Sequence, residues 1–141
     1  MAVEIQINPL DLEFDIAIGL DLPMNVRNGS GFKLNYFSID QALANAKNLL
    51  LTDKGERVML PEFGCDIKKS LFENITNDMI SKLDRQIRSA FAYWLPYIFI
   101  TNLTITPNQD RNAVRVELTI SLDQNGFDTR SITLVVTNNG Q

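Results

Sequence analysis

Glu56, Glu62, Asp66 and Glu73 place four carboxylates within eighteen residues, around Arg57 and the single cysteine, Cys65. Two carboxyls flanking a glycosidic bond, one of them held protonated, would make a glycoside hydrolase. A thiol beside a base would make a nucleophile. Glycine turns such as those at Gly55 and Gly64 can cradle phosphate. Each chemistry lacks a requirement. Glu56 stands next to Arg57, and a neighbouring guanidinium favours the ionised acid, a poor proton donor. The chain contains no histidine, which removes the usual base for Cys65 and the commonest metal ligand. The glycine–lysine pattern of a phosphate loop is missing, so Gly55 reads as a positive-φ residue just past a helix end. With one cysteine and no zinc-like spacing, neither an intrachain disulfide nor a metal or cofactor is expected.

Arg57 itself has two readings. It pairs with Glu56, Glu62 or Glu73 and fixes the loop, or its planar fork reaches a carboxylate on another subunit.

The elements that must hold this segment lie on either side of it. Ser38, with Gln41 three residues later, gives a capping-box pattern. Ile39, Ala42, Leu43, Ala46, Leu49 and Leu50 follow at helical spacing, so 39–52 reads as an amphipathic helix. Residues 53–64 interrupt it, and 66–73 form a shorter helical piece with Ile67, Leu71 and Phe72 on one side. Thr76 or Asn77 caps a third helix with the stripe Met79, Ile80, Leu83, Ile87, Ala90, Phe91 and Trp94. Tyr93 points off that stripe, and Pro96 ends the helix.

From Tyr97 the period is two. Ile98 and Ile100 lead a strand whose register shifts at Asn102–Leu103, a candidate bulge. Val114, Val116, Leu118, Ile120 and Leu122 form the clearest half-buried strand, and Ile132, Leu134 and Val136 a third. Upstream, Phe14, Ile16, Ile18 and Leu20 suggest a short strand, and 27–33 a loop, within a partly extended arm over residues 1–35. The expected fold is one α+β domain over 1–141, with helices on one face of a small antiparallel sheet of three to four strands.

Composition narrows the function. Apolar residues make up 45% and charged residues 21%, and 17 acids against 13 bases leave a net charge of −4. Nucleic-acid binders rely on clustered cations, so none is expected as a partner. The start lacks the pattern of a signal peptide, and no run approaches the ~18 apolar residues of a membrane span, so a reducing cytoplasm and no membrane partner are expected.

The stretch LLLTDKGERVMLPEFGCDIKKSLFE, residues 49–73, resembles a segment shared by baseplate wedge proteins of contractile-tailed bacteriophages and their type VI secretion counterparts. In that family a Leu-rich helix end is followed by T-x-x-G-x-R, then Pro-Glu-Phe-Gly, then Leu-Phe-Glu. Here these are Thr52, Gly55 and Arg57; Pro61, Glu62, Phe63 and Gly64; and Leu71, Phe72 and Glu73. The upstream IAIGLDLPMN and the downstream helix and three strands keep the family's order.

The resemblance implies a structural, non-enzymatic subunit of the inner baseplate wedge, present in several copies in a symmetric assembly. Its expected partners are other wedge proteins and the tail sheath protein, and its place is the virion tail, assembled in the host cytoplasm. The implied assembly residues are Gly55, Glu56, Arg57, Pro61, Glu62, Phe63, Gly64, Phe72, Glu73, Leu95, Pro96 and Tyr97. At the last three the family commonly carries Glu-Pro-Arg, so an apolar contact replaces a charged one. The implied template for the first sheath ring is an open strand edge. Ser131, Ile132, Thr133, Leu134, Val135, Val136 and Thr137 are its candidate, because the preceding strand is central in a meander. Family members are often labelled lysozyme-like, and a peptidoglycan hydrolase is the alternative that the acids above fail to support.

Overall fold

A strand that alternates Val114, Val116, Leu118 and Ile120 with Arg115, Glu117 and Thr119 needs a partner on each edge and a cover on one face. The computed structural model of the chain describes residues 9–13, 15–24, 31–70, 76–108, 113–126 and 128–137. In it that strand, β4 (Ala113–Ser121), lies between β3 (Phe99–Asn108) and β5 (Thr129–Thr137), all antiparallel. A separate two-stranded ribbon pairs β1 (Gly19–Leu20) with β2 (Leu34–Asn35). The helices are α1 (Ser38–Leu51), α2 (Ile67–Ser70) and α3 (Asn77–Trp94).

Register explains the core. Leu103, Leu118 and Ile132 form one row across the sheet, and Ile105, Val116 and Leu134 the next. Met79, Leu83, Ile87 and Phe91 of α3 join this face, with Ala42, Ala46, Leu49 and Leu50 of α1 and Phe63, Cys65 and Ile67 between the helices. On the opposite face the row Thr104, Glu117 and Thr133 is exposed. One covered face and one wet face make this an α+β domain. The shift in β3 falls between Ile100 and Asn102, where the broken alternation of the sequence put it.

Two local expectations are corrected. Ser38 is the first residue of α1, not its cap. The cap position is Phe37, without a side-chain bond. The first N–H of the helix is met instead from 27 residues upstream, where Asp11 Oδ1 accepts from the Ser38 N–H at 2.7 Å and from its Oγ at 2.9 Å. Gln41 does not close a capping box; its Oε1 accepts from Asn35 Nδ2 at 3.1 Å, which ties α1 to β2. The arm is also less strand-like than its alternation suggested. Among the described residues of 14–20, strand pairing is confined to Gly19–Leu20, which meets Leu34–Asn35; Pro9–Leu12 forms a single 3-10 turn, and Phe14 lies outside the described residues.

α3 begins as its sequence requires. Thr76 is the cap, its Oγ1 accepting from the Met79 N–H at 3.2 Å. Thr76→Ala should therefore cost about 1 kcal/mol, a fall of roughly 3–5 °C in Tm that a thermal melt followed by circular dichroism would detect.

Candidate functional site

The loop between α1 and α2 is built on backbone groups that the end of a helix leaves free. The Thr52 carbonyl accepts from the Cys65 N–H at 3.1 Å, drawing the two ends of the loop together. A second clasp higher up runs from the Gly55 N–H to the Pro61 carbonyl at 2.7 Å. Glu56 closes a small reciprocal ring, its N–H bonding the Asp53 carbonyl and its Oε2 accepting from the Asp53 N–H at 3.0 Å. Asp66 Oδ1 accepts from the Lys54 N–H at 2.8 Å and pairs with Lys69 at 3.0 Å. Lys68 lies 3.7 Å from both Asp53 and Glu56. Asp53, Glu56 and Asp66 are thus bound to Lys68, Lys69 and the loop backbone.

Gly55 has the expected positive φ, +92°, but it is not the helix cap. Thr52 caps α1 in an extended conformation, and Gly55 serves the turn three residues later. Gly64, at φ +131°, has the stricter role, because a Cβ there would sit 2.4 Å from the Thr52 carbonyl oxygen. The loop closes over that contact.

Arg57 follows neither of the local pairings open to it among the described residues, where no carboxylate lies within ion-pair range; Glu73 falls outside them. Its guanidinium carbon lies 4.3 Å from the centre of the Phe63 ring. Phe63 is buried and meets Trp94 edge-on at 5.3 Å, and Trp94 in turn meets Tyr93 at 4.9 Å. An arginine stacked on an aromatic ring keeps its edge N–H groups available for a carboxylate or carbonyl elsewhere. No periodic signal marks this stack, since Phe63 and Trp94 lie 31 positions apart.

The remaining assembly candidates divide by exposure. Glu56, Arg57, Pro61, Glu62, Pro96 and Tyr97 are at the surface. Phe63, Gly64 and Leu95 are buried, so they shape the site from beneath. Leu95, an expected apolar contact for a partner, instead faces this chain's own core because the turn after α3 folds it under, with the Ile98 N–H bonding its carbonyl at 3.0 Å. Tyr97 stays 46% exposed while its hydroxyl accepts from Asn45 Nδ2 of α1 at 2.8 Å. Phe72 and Glu73 lie outside the described residues.

Beside the loop is a groove of about 610 Å³, with Glu62 and Asp66 sharing its wall with Lys54, Lys82, Arg85 and Trp94. That wall mixes acidic and basic side chains. Cys65 also lies on the groove, but burial pushes its thiol up to about 12, so it stays a neutral thiol near pH 7. Among the described residues no cluster of three or more Cys, Asp or Glu is arranged to hold a metal ion, and no helix is long and apolar enough to cross a membrane.

β5 ends the sheet, pairing only with β4 among the described residues, and it contains all of residues 131–137. Ile132 is buried, Leu134 and Val136 are half-buried, and Ser131, Thr133, Val135 and Thr137 are exposed.

Known proteins share this arrangement. A family model described as baseplate wedge protein gp25 matches residues 38–126, from the start of α1 to the turn before β5. The chain is 31% identical over 128 residues to baseplate wedge protein gp25 of Enterobacteria phage T4, covering 91% of this chain and 92% of that one. A Geobacter sulfurreducens crystal structure, provisionally named a tail lysozyme, superposes with a TM-score of 0.59 at 20% identity, over 69% of this chain and 87% of its own. A chain of the 6-fold symmetrised baseplate of the anti-feeding prophage superposes with a TM-score of 0.56 at 19% identity, over 85% of this chain and 84% of its own. At those identities the two structures speak for the fold alone. The family match and the T4 relative take in the whole Arg57 loop, and this chain belongs to the baseplate wedge protein gp25 family.

Proposed function

We propose that the chain is a structural, non-enzymatic subunit of the inner wedge of a contractile-tail baseplate. It sits in the virion tail among other wedge proteins, in several symmetric copies assembled in the host cytoplasm, and it starts the tail sheath by lending a strand edge. Kinship with the T4 wedge protein along 91% of the chain carries the first part of this reading. The provisional lysozyme name of one structural neighbour adds nothing to it, because Glu56 is held by the Asp53 N–H and by Lys68.

The sheath role rests on the contrast between the two edges of the sheet. β3 carries a register shift and Pro107, both of which blunt an edge against further pairing. β5 has no proline and pairs with β4 without interruption from Thr129 to Thr137. An arm of the sheath protein could therefore add to β5 as a fourth strand.

Successive residues of a strand turn their N–H groups to opposite edges. Of Thr133→Pro and Leu134→Pro, one removes a bond to β4 and the other an outward donor. The variant that keeps a cooperative melt should build baseplates but leave tails without sheath, as counted by negative-stain microscopy. Full sheaths on that folded variant would place the template elsewhere.

A further inference from the structure

Between the two halves of the loop, Val58, Met59 and Leu60 are 92%, 90% and 47% exposed. Apolar residues scattered singly over a surface are ordinary, but three in sequence at the end of a braced loop form a local apolar projection. The neck beneath them is closed by the Gly55–Pro61 bond and by the Asp53–Glu56 ring. A projection already held in shape loses little conformational freedom when it docks. Its charged neighbour Arg57 has no carboxylate within ion-pair range among the described residues and lies over Phe63.

We infer that Val58, Met59 and Leu60 form a plug that seats in an apolar socket on another baseplate protein, a socket rimmed by carboxylate that receives Arg57. This rests on the baseplate reading above and adds to it the residues that enter the partner and the chemistry of the partner's surface. A protein socket suits the plug better than a lipid surface. Anionic membranes attract an excess of cations, whereas Lys54, Arg57, Lys68 and Lys69 around the plug are matched by Asp53, Glu56, Glu62 and Asp66. Three side chains also fall well short of the apolar face by which an interfacial helix lies on lipid.

The test uses intact tails. With Met59 replaced by the photoreactive residue p-benzoylphenylalanine, irradiation should give one discrete adduct with one other baseplate protein. The same label at exposed Asn125 should not give that adduct. Met59→Asp should melt like the unaltered chain, since the site is 90% exposed, yet enter tails about 30-fold less efficiently or worse in competition with wild type, the scale of a central contact residue. Wild-type incorporation of the folded Met59→Asp variant would overturn the inference while leaving the baseplate reading standing. Binding of the chain to phosphatidylglycerol vesicles, abolished by Met59→Asp, would reassign the plug to a membrane and overturn it as well. Absence of the unaltered chain from purified tails would overturn both readings, and is distinguished by probing the tails for the chain itself.

Discussion

Gly64→Ala should destabilise the domain by several times as much as Gly55→Ala. Both glycines have positive φ, at +131° and +92°, so an alanine at either position is conformationally disfavoured by about 1 kcal/mol. The difference is in what surrounds them. At Gly55 an added Cβ meets nothing within 4 Å. At Gly64 it would lie 2.4 Å from the Thr52 carbonyl oxygen, and that oxygen already accepts the Cys65 N–H that closes the loop. Backbone held from both sides cannot swing away like the tip of a long side chain. Overpacking typically adds about 1–3 kcal/mol, so the total for Gly64→Ala is roughly 2–4 kcal/mol. Urea denaturation of both variants measures it. Equal midpoints would mean that the close approach to Thr52 is easily relaxed.

Arg57→Ala should have the opposite profile, with a small loss of stability and a large loss of assembly. The side chain is exposed, and its one described intramolecular contact is the Phe63 ring. A cation–π contact at the surface contributes about 0.5–1 kcal/mol, so the isolated chain should remain folded. An arginine central to an interface commonly contributes 2 kcal/mol or more, roughly a 30-fold change in binding. In a symmetric assembly the same defect recurs in every copy, so the yield of baseplates should collapse. Arg57→Lys separates charge from shape, because lysine keeps the charge but loses the planar fork. It should restore assembly only in part. Normal contractile tails from Arg57→Ala would show that the arginine serves the loop alone.

These two residues also mark how much the sequence could reveal. The stripe of α3 and the alternation of β4 were plain, because burial imposes a period and a period survives in a single sequence. The central position of β4 followed from three strands in a row joined by short connections. What escaped was set by contacts between distant positions. Asp11, rather than Ser38, satisfies the start of α1, and a side chain from 27 residues away leaves no local pattern. The partner of Glu56 is Lys68, twelve residues on, where adjacency suggested Arg57. Leu95 looked like a surface substitution in a family motif, and its burial depends on the way the turn at Pro96 folds back. The exposed run at Val58, Met59 and Leu60 did leave a trace, three apolar residues in a loop with no helical or strand period to bury them.

The sheath-template role depends on what occupies the edge of β5 left unpaired among the described residues. Electron cryomicroscopy of extended tails, at a resolution that traces the backbone, would show it directly. The prediction is a sheath-protein strand lying about 4.8 Å from β5 and hydrogen-bonded along residues 131–137, in every copy around the first sheath ring. A β5 edge open to solvent in sheathed tails, or sheath paired with β3 instead, would contradict it.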